Sequence, residues 1–418
     1  MNNHGPESVA VIGLGYIGLP TAVMLASRGV EVVGVDTDPV RVDYVSRGEL
    51  PFYEPDLTAS LSGVVALGKL SASTEVPVAE VYVIAVPTPI TPDEAADLTY
   101  VFQAAEAIAP KLRPGATVIL ESTSPPGTTE RLSRTLAEAR PDLTFPLDAN
   151  GEPDVFIAHC PERVLPGRLM TEMVENDRLI GGLTPECAEK AAEVYSIFSQ
   201  GNLQLTDATS AEMAKLAENS FRDVNIAFAN ELSMICDELG LDVWEVISMA
   251  NRHPRVNILA PGPGVGGHCI AVDPWFLVGA APDRSALIRT ARMVNLGKAK
   301  YVLDQVVRTA ERFKDPVIAC LGLSYKANVD DIRESPAVAI AASLARELPT
   351  TTIMVADPLL DVLPAPLDDS PAIQFVRTQQ AVAAADIVVL LVDHNSFRRL
   401  PHKVLEGKVV IDTRGIWH

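Results

Sequence analysis

A glycine-rich turn between a strand and a helix constrains the fold of this 418-residue chain more than any other feature. The apolar run Val9–Ile12 leads directly into GLGYIG, and a helical pattern follows through Ser27. Gly13, Gly15 and Gly18 have the spacing GxGxxG, which permits a tight turn, close approach of a ligand to the backbone, and close packing of the helix. A helix that begins there directs unpaired N–H groups at phosphate. The pattern predicts a dinucleotide-binding βαβ unit.

An acidic residue at the end of the next predicted strand indicates which dinucleotide binds. Val30–Val35 forms that strand and Asp36 follows it. A carboxylate at this place binds the ribose hydroxyls of NAD, and it repels the additional phosphate of NADP. The sequence therefore predicts that the cofactor is NAD.

Strand-like and helix-like segments alternate in two parts of the chain, before about Ala208 and after Asp315, and the part between them is helical. We predict the α/β fold class, with two Rossmann-like doubly wound domains joined by a central helical region that contains a long helix. The further predicted strands are Val81–Val86, Thr117–Leu120, Val155–Ala158, Val317–Leu321, Thr352–Val355, Ile387–Val392 and Val409–Ile411. The predicted helices are Val101–Lys111, Thr128–Ala139, Ser210–Leu239 and Pro336–Glu347.

Composition excludes several classes of protein. The net charge of −20 argues against a nucleic-acid binder, which needs a basic surface. The polar N-terminus predicts no signal peptide, and no apolar run is long enough to predict a membrane span. The five cysteines are scattered singly, without the spacing of a metal site or a disulfide framework. We expect a cytoplasmic, soluble enzyme without a metal.

One cysteine stands in a segment rich in loop-forming residues, Asn251–Trp275. The stretch PGPGVGGH before Cys269 excludes a regular helix or a central strand. A thiol in such a loop, close in sequence to Asp273, suits an attacking nucleophile. The alternative is that Cys269 is a small buried apolar residue, as most free cysteines are.

The predicted helix Ser210–Leu239 contains neither glycine nor proline. Its length predicts a central or dimer-forming helix. Lys215, Asn219 and Arg222 fall on one face of it, and this face is predicted to line a site. A solvated polar face is the alternative.

Several polar loops follow predicted strands. VPTP and ESTSPPGT are expected at the carboxyl edge of the first sheet, where ligands bind, although ordinary proline turns are the alternative. HCPERVLPG follows the predicted last strand of the first α/β unit. In it, Glu162 is a candidate for proton transfer, and a surface ion pair with Arg163 is the alternative. In GLSYKANVDDIRESPA, Lys326 and Arg333 are candidates for binding a diphosphate.

Together these segments resemble, in order and over nearly the whole chain, the nucleotide-sugar 6-dehydrogenases of the UDP-glucose/GDP-mannose dehydrogenase family. The resemblance implies an NAD-binding Rossmann domain (1–207), a central helical domain with the catalytic loop and the dimer interface (208–314), and a UDP-sugar-binding α/β domain (315–418). It also implies a homodimer or a higher homo-oligomer. The matching segments are GLGYIGLP, VPTP, ESTSPPGT, CPERVLPG, EMAKLAENSFRDVNIAFANE, PGPGVGGHCIAVDP, GLSYKANVDDIRESPA and DTRG.

The resemblance further implies oxidation of a sugar C6 alcohol to a carboxylate by two NAD+. In that reaction Cys269 attacks an aldehyde, the thiohemiacetal is oxidised to a thioester, and water hydrolyses the thioester. The other catalytic candidates are Lys215 and Asn219 for the oxyanion, Asp273 for Lys215 or the water, Thr123 for positioning the water, and Glu162 for hydrolysis.

The resemblance assigns ligand contacts as well. The cofactor candidates are Gly13, Gly15, Tyr16, Ile17, Gly18, Asp36, Arg41, Thr88 and Thr123. The substrate candidates are Arg163, Val164, Lys215, Asn219, Arg222, His253, Arg255, Gly266, Tyr325, Lys326 and Arg333.

Two departures from the UDP-glucose members narrow the expected substrate. The chain has GVGGHC where those enzymes carry a GFGGSC-type loop, and PERVLPG where they carry PEFLxEG. Both departures resemble members acting on UDP-N-acetyl-D-mannosamine, which would yield UDP-N-acetyl-D-mannosaminuronate for surface polysaccharide biosynthesis. UDP-N-acetylglucosamine is the alternative, with UDP-glucose behind it.

Two other functional classes stay open from the sequence. An ordinary two-electron dehydrogenase would need no nucleophilic cysteine. A non-catalytic nucleotide-sugar-binding protein would need neither Cys269 nor Lys215, and both are present. The fold alone separates none of these possibilities.

Overall fold

The computed structural model describes residues 5–52, 54–148, 153–164 and 168–417. It divides into two compact units, Met1–Glu218 and Asn219–His418. Residues 165–167 of the CPERVLPG segment and the first four residues of the polar N-terminus lie outside the described residues. In the described part of the chain, no helix is long and apolar enough to cross a membrane.

The first unit contains an eight-stranded sheet with the strand order β3-β2-β1-β4-β5-β6-β7-β8. Neighbouring strands run parallel, except for the antiparallel pair β6 and β7. The strands are β1 (Ser8–Ile12), β2 (Glu31–Val35), β3 (Leu70–Ser73), β4 (Val81–Ile84), β5 (Ala116–Leu120), β6 (Val155–His159), β7 (Arg178–Gly182) and β8 (Leu203–Asp207). The helices are α1 (Gly18–Ser27), α2 (Pro39–Ser46), α3 (Pro55–Ala66), α4 (Thr99–Ile108), α5 (Thr128–Ala139), α6 (Leu169–Glu175) and α7 (Pro185–Tyr195), with a 3₁₀ turn at Ala109–Lys111.

Helices cover both faces of this sheet, because successive residues of a buried strand point to opposite sides. On β1, Val9 and Val11 belong to one core cluster, together with residues of α1 and α7. Ala10 and Ile12 belong to another, together with residues of α4 and α5. This doubly wound arrangement is the predicted one, and it places the loops after the parallel strands β1, β4, β5 and β6 along one edge.

Helix α8 (Ala208–Leu239) is 32 residues long and extends over the boundary at Glu218. In the second unit it is followed by α9 (Val243–Ala250), α10 (Asp273–Ala280) and the 25-residue α11 (Ala286–Ala310). A buried polar network joins α8 to α11. Asp223 forms an ion pair with Arg292 at 2.7 Å, and Asn230 donates to Asn295 at 2.9 Å.

The second unit also contains a five-stranded parallel sheet with the strand order β11-β10-β9-β12-β13. Ile318 and Cys320 of β9 pack with α11 and α12 on one face, and Ala319 and Leu321 pack with α14 on the other. The strands are β9 (Val317–Leu321), β10 (Thr352–Ala356), β11 (Ile373–Phe375), β12 (Ile387–Leu390) and β13 (Val409–Asp412). The helices are α12 (Pro336–Glu347), α13 (Ala365–Asp368), α14 (Thr378–Ala384) and α15 (Asn395–Arg398), with a 3₁₀ turn at His402–Leu405.

The predicted fold class is confirmed, and helices α5 and α12 have the predicted bounds. One prediction was wrong: Val155–Ala158 is not the last strand of the first unit, because β7 and β8 extend the sheet beyond it. The short strands β3 and β11 were not predicted. Both lie at sheet edges, where a strand needs less apolar sequence.

Candidate active site

The glycine-rich turn lies between β1 and α1, at the carboxyl edge of the first sheet. Gly13 has a φ of 99° and donates its N–H to the carbonyl of Val35 at 2.7 Å. A Cβ atom on Gly18 would lie 1.9 Å from the carbonyl oxygen of Gly13, so only glycine fits there. A Cβ on Gly15 would meet nothing within 4 Å, so the backbone at Gly15 faces open space. These three positions fit a pyrophosphate placed against the turn.

Asp36 is buried beside this turn. One carboxylate oxygen accepts the N–H of Leu14 at 2.9 Å, and the other accepts the N–H of Asp38 at 3.0 Å. Arg41 forms an ion pair with the same carboxylate at 3.0 Å. The carboxylate therefore lies where the ribose of NAD binds in such units, and it offsets the charge of Arg41.

Two other cofactor candidates lie on the turn itself. The hydroxyl of Tyr16 donates to Glu54 at 2.6 Å, and its ring contacts Phe52 with the ring centroids 5.1 Å apart. Ile17 is the residue before the first turn of α1. These contacts attach the turn to the segment that precedes α3.

The loops after β4 and β5 meet at the same edge, as expected. The hydroxyl of Thr88 donates to the carbonyl of Thr123 at 2.7 Å, and the hydroxyl of Ser122 donates to the carbonyl of Val86 at 2.8 Å. Thr88 thus holds the backbone of Thr123 in place.

Glu212, which we did not predict, connects the end of that loop to α8. It is fully buried and accepts the N–H groups of Gly127 at 2.6 Å and Thr129 at 2.8 Å, at the start of α5. Lys215 lies one turn further along α8 and is also buried. His159, at the end of β6, has its pKa lowered to about 3 by burial, and the charge of Lys215 adds to that shift. Lys215 therefore lies near the carboxyl end of β6.

Glu162 forms an ion pair with Arg178 at 2.7 Å, and both side chains are buried. The predicted alternative, a surface ion pair with Arg163, was therefore wrong: Arg163 contributes only its backbone N–H, at 2.7 Å, and its side chain pairs with Glu218 at 2.6 Å. The Glu162 carboxylate is thus held by a guanidinium and an amide. The partner was not predictable, since Arg178 lies on a strand that we did not predict.

A second buried carboxyl group lies in the same cluster. Glu121 accepts the hydroxyls of Thr21 and Tyr195, each at 3.0 Å. Burial raises the pKa of Glu121 to about 8, and repulsion from Glu162 adds to the shift despite Arg178. Two carboxyl groups thus share one guanidinium, and Glu121 carries a proton at neutral pH.

In the second unit, Cys269 lies in a loop, as predicted: all residues between α9 and α10 are described, and none is in a helix or strand. Its carbonyl accepts the N–H of Asp273 at 2.8 Å, so the loop turns directly into α10. Cys269 is partly exposed, whereas the other four cysteines are buried. Burial raises the pKa of Cys320 to about 12, which keeps that thiol protonated. A buried apolar role for Cys269 is not what the structure shows.

Asn219 and Asp273 form a pair. The amide of Asn219 donates to the carboxylate of Asp273 at 2.5 Å, and Asp273 is 3% exposed. An amide nitrogen carries two N–H groups, so this bond uses only one of the two donors. Asp273 fixes the orientation of the Asn219 side chain.

Tyr325 and Arg333 lie on the loop after β9 and interact with Cys269. Burial raises the pKa of Tyr325 to about 12, with smaller effects of Asp331 and Cys269. The Arg333 guanidinium holds Asp331, with its Nη2 2.6 Å from the carboxylate, and it also interacts with Cys269. The ring of Tyr325 packs on the cysteine loop, since a Cβ on Gly267 would lie 2.9 Å from it.

The remaining substrate candidates have less defined positions. Gly266 is required for packing, because a Cβ there would lie 2.4 Å from the carbonyl oxygen of Glu334. Val164 packs against a core cluster of the first unit. Lys326 lies with its ammonium 5.9 Å from the ring centre of Tyr325. The exposed candidates are Arg222, His253 and Arg255.

Comparison with known proteins agrees with this geometry along the chain. The UDP-glucose/GDP-mannose dehydrogenase family matches in three parts: its NAD binding domain over residues 7–199, its central domain over 209–296 and its UDP binding domain over 319–418. The chain belongs to this family, and it is therefore an NAD-dependent nucleotide-sugar dehydrogenase.

Individual relatives share about half of the sequence. The NDP-N-acetyl-D-galactosaminuronic acid dehydrogenase of Ralstonia nicotianae is 56% identical over 411 residues, covering 98% of this chain and 96% of its own. The UDP-N-acetyl-D-mannosamine dehydrogenase of Salmonella typhi is 52% identical over 418 residues, with 98% and 99% covered. Among solved structures, the UDP-D-ManNAc dehydrogenase of Pyrococcus horikoshii superimposes with a TM-score of 0.87 at 36% identity, covering 98% of this chain and 96% of that one.

Replacing Glu121 by Gln should flatten the pH dependence of stability. In the folded chain Glu121 keeps a proton up to about pH 8, whereas the unfolded chain loses it near 4.5. The free energy of unfolding of the wild type therefore falls between these values as pH rises, by up to about 1.4 kcal/mol per pH unit. Gln resembles the protonated carboxyl group, so E121Q lacks this decline.

Urea unfolding at pH 5.5, 6.5 and 7.5 measures the effect, with the exposed Glu138→Gln on α5 as the matched control. The control should keep the wild-type slope. An E121Q protein whose stability declines as steeply as the wild type would show that Glu121 is ionised in the folded chain.

Proposed function

We propose that this enzyme oxidises UDP-N-acetyl-D-mannosamine at C6 to UDP-N-acetyl-D-mannosaminuronate, in two NAD-dependent steps that pass through a thioester on Cys269. The observation that carries the proposal is the position of this thiol. It is partly exposed at the turn into α10, and it interacts with Tyr325 and Arg333 of the loop after β9. A thiol meant only for packing would be buried, as the other four are.

NAD, when bound at the glycine-rich turn, accepts a hydride in each of the two oxidations. In the first, the C6 alcohol becomes an aldehyde, and its hydroxyl proton passes to a water held by Thr123. The Cys269 thiolate then forms a bond to C6, which gives a thiohemiacetal. Loss of the second hydride from C6, together with the proton of the thiohemiacetal hydroxyl, which passes to water, leaves a thioester.

Negative charge develops on the oxygen bonded to C6, and hydrogen-bond donors that are already in position stabilise it. Lys215 supplies a cation, and Asn219 supplies the amide N–H that its bond to Asp273 does not use. Water then attacks the thioester, the bond to sulfur breaks, and the free thiol and the carboxylate are released. Glu162 assists the hydrolysis as a carboxyl group that the Arg178 guanidinium holds in place at 2.7 Å.

A second candidate differs only in the sugar. The Ralstonia relative, at 56% identity, is named for N-acetyl-D-galactosaminuronic acid. This similarity favours the galacto-configured UDP-N-acetylhexosamine as the other substrate to test. The manno and galacto sugars share the C6 alcohol and the acetamido group, so the same chemistry serves both.

The enzyme also acts as a homodimer in this proposal, joined along α8. Phe221, Phe228 and Ile235 recur every seven residues on α8, and all three are exposed in the single chain, as is Leu239. Such a heptad spacing forms an apolar stripe that a second helix can cover. The opposite face of α8 holds buried residues such as Asp223 and Asn230.

The substrate proposal predicts that UDP-N-acetyl-D-mannosamine has the highest kcat/KM among UDP sugars, by about tenfold or more, because a pocket fitted to one configuration at C2 excludes the other. Initial rates of NADH formation with the manno, gluco and galacto UDP-N-acetylhexosamines and with UDP-glucose measure this. A preference for the galacto sugar would support the second candidate. A preference for UDP-glucose would contradict any assignment to a hexosamine.

The dimer proposal predicts that Phe228→Glu yields a monomer, because a carboxylate in the middle of the apolar stripe would be buried without a partner. Light scattering after size exclusion gives the mass. Leu67→Glu, at an exposed leucine of the first unit, is the matched control and should stay dimeric. A wild-type monomer, or a dimeric F228E, would refute the assignment of this surface.

A further inference from the structure

The two α/β sheets begin with the same backbone turn. Gly322 follows β9 with a φ of 91° and donates its N–H to the carbonyl of Ala356 at 2.8 Å, as Gly13 does to Val35 in the first unit. Asp357, at the end of β10, accepts the N–H of Leu323 at 2.8 Å, as Asp36 accepts that of Leu14. The second unit thus repeats the turn and the acidic residue of a dinucleotide site.

The two units differ in the segment between this turn and the next helix. In the first, α1 begins at Gly18, close behind Gly13, whereas in the second α12 begins only at Pro336. The residues between, 323–335, form a long loop that we call the nucleotide loop. It carries the substrate candidates Tyr325, Lys326 and Arg333. Long loops without secondary structure in a compact domain are usually functional.

His394 binds the first part of the nucleotide loop. The ring is 1% exposed and lies after β12. Its Nδ1 accepts the N–H of Asn328 at 3.0 Å, so the proton of the neutral ring is on Nε2. Nε2 lies 3.1 Å from the hydroxyl of Ser324 and 3.2 Å from the carboxylate of Asp357. Asn328, at a φ of 62°, also accepts the N–H of Asn395 at 3.0 Å.

The last part of the nucleotide loop binds the cysteine loop. Gly267 donates its N–H to the carbonyl of Arg333 at 3.0 Å, and Tyr325 donates its own to the carbonyl of Asp331 at 2.9 Å. One end of the loop is therefore attached through His394, and the other end is hydrogen-bonded to the backbone of Gly267, two residues before Cys269. Tyr325 and Lys326 lie between Ser324 and Asn328, the two loop residues that His394 contacts.

We propose that His394 is a positioning residue for the nucleotide of the substrate. It lies against the carboxylate of Asp357, at the place where a dinucleotide-binding unit would bind a ribose. It thereby fixes the nucleotide loop so that Tyr325, Lys326 and Arg333 bind uridine diphosphate. The inference rests on the proposed function and adds a residue to it. The buried ring accepts the N–H of Asn328 and lies between a hydroxyl and a carboxylate, so its removal would leave the Asn328 N–H without this acceptor.

Replacing His394 by Phe tests this, because Phe keeps the ring packed on Phe397, whose centroid lies 5.4 Å away, and removes both nitrogens. We expect the Kd for UDP and the KM for the sugar nucleotide to rise roughly ten- to hundredfold, because a displaced loop no longer places its side chains on the ligand. The Kd for NAD should stay within about twofold, since the glycine-rich turn lies in the first unit. The change in kcat at saturating substrate should be smaller than the change in KM, since the end of the loop that contacts Gly267 is not the end that His394 contacts. His402→Phe, at an exposed histidine of the same unit, is the matched control and should equal the wild type.

Calorimetry with UDP and with NAD, and initial rates, provide the readouts. A folded H394F that binds UDP as the wild type does would overturn the proposal, even if its melting temperature fell. Should H394F fail to fold, Ser324→Ala decides, because it removes one hydroxyl from the same network: a raised Kd for UDP supports the proposal and an unchanged one overturns it. A wild type that does not bind UDP would refute the proposed function itself, which is a different outcome.

Discussion

The close contact between two loops in the second unit restricts the position of Cys269. The cysteine loop lies so near the nucleotide loop that a Cβ on Gly266 would be 2.4 Å from the carbonyl oxygen of Glu334, and Gly267 has a φ of 83° against the ring of Tyr325. Any side chain at these two positions would push the loops apart. Because Cys269 lies only two residues after Gly267, at the turn into α10, this contact restricts its position. The small size of Gly266 and Gly267 allows the two loops to pack, and this packing positions Cys269.

Buried polar and charged groups within each unit are held in a comparable way, each by a partner distant in sequence. Glu162 is paired with Arg178, Asp223 with Arg292, and Asn219 with Asp273. Burying such groups is costly unless every one has a partner, and removing one partner leaves a buried charge unpaired. The carboxylates are therefore fixed in orientation, which proton transfer and oxyanion binding both require.

Local sequence patterns were sufficient to predict much of the fold and part of the candidate site. The order of strand, GxGxxG and helix predicted the turn at Gly13, and Asp36 was predicted to lie beside it, because both depend on neighbours in sequence. The glycine- and proline-rich stretch before Cys269 predicted a loop, and the run without either residue predicted α8. The roles of the predicted site residues stay predictions, since the structure gives their positions and not their contacts with ligands.

Pairing between distant segments was not predictable. An ion pair of Glu162 with its neighbour Arg163 was the alternative considered, but its partner lies on β7, a strand whose sequence RLIGG begins with an arginine and ends with two glycines and therefore lacks a strand pattern. Glu121 and Glu212 lie in segments that match the family and His394 lies outside them, but no role was predicted for any of the three, because their importance follows from burial and from the groups that they bind. Sequence periodicity reports which face of an element is apolar, and it does not report which polar residue meets which.

The amount of NADH formed per molecule of limiting UDP-N-acetyl-D-mannosamine, with NAD+ in excess, tests the covalent role of Cys269 most directly. Two NADH per sugar are predicted for the wild type, and at most one for Cys269→Ala, because without the thiol the aldehyde cannot become a thioester. One NADH per sugar from the wild type, or two from the variant, would contradict the proposed chemistry.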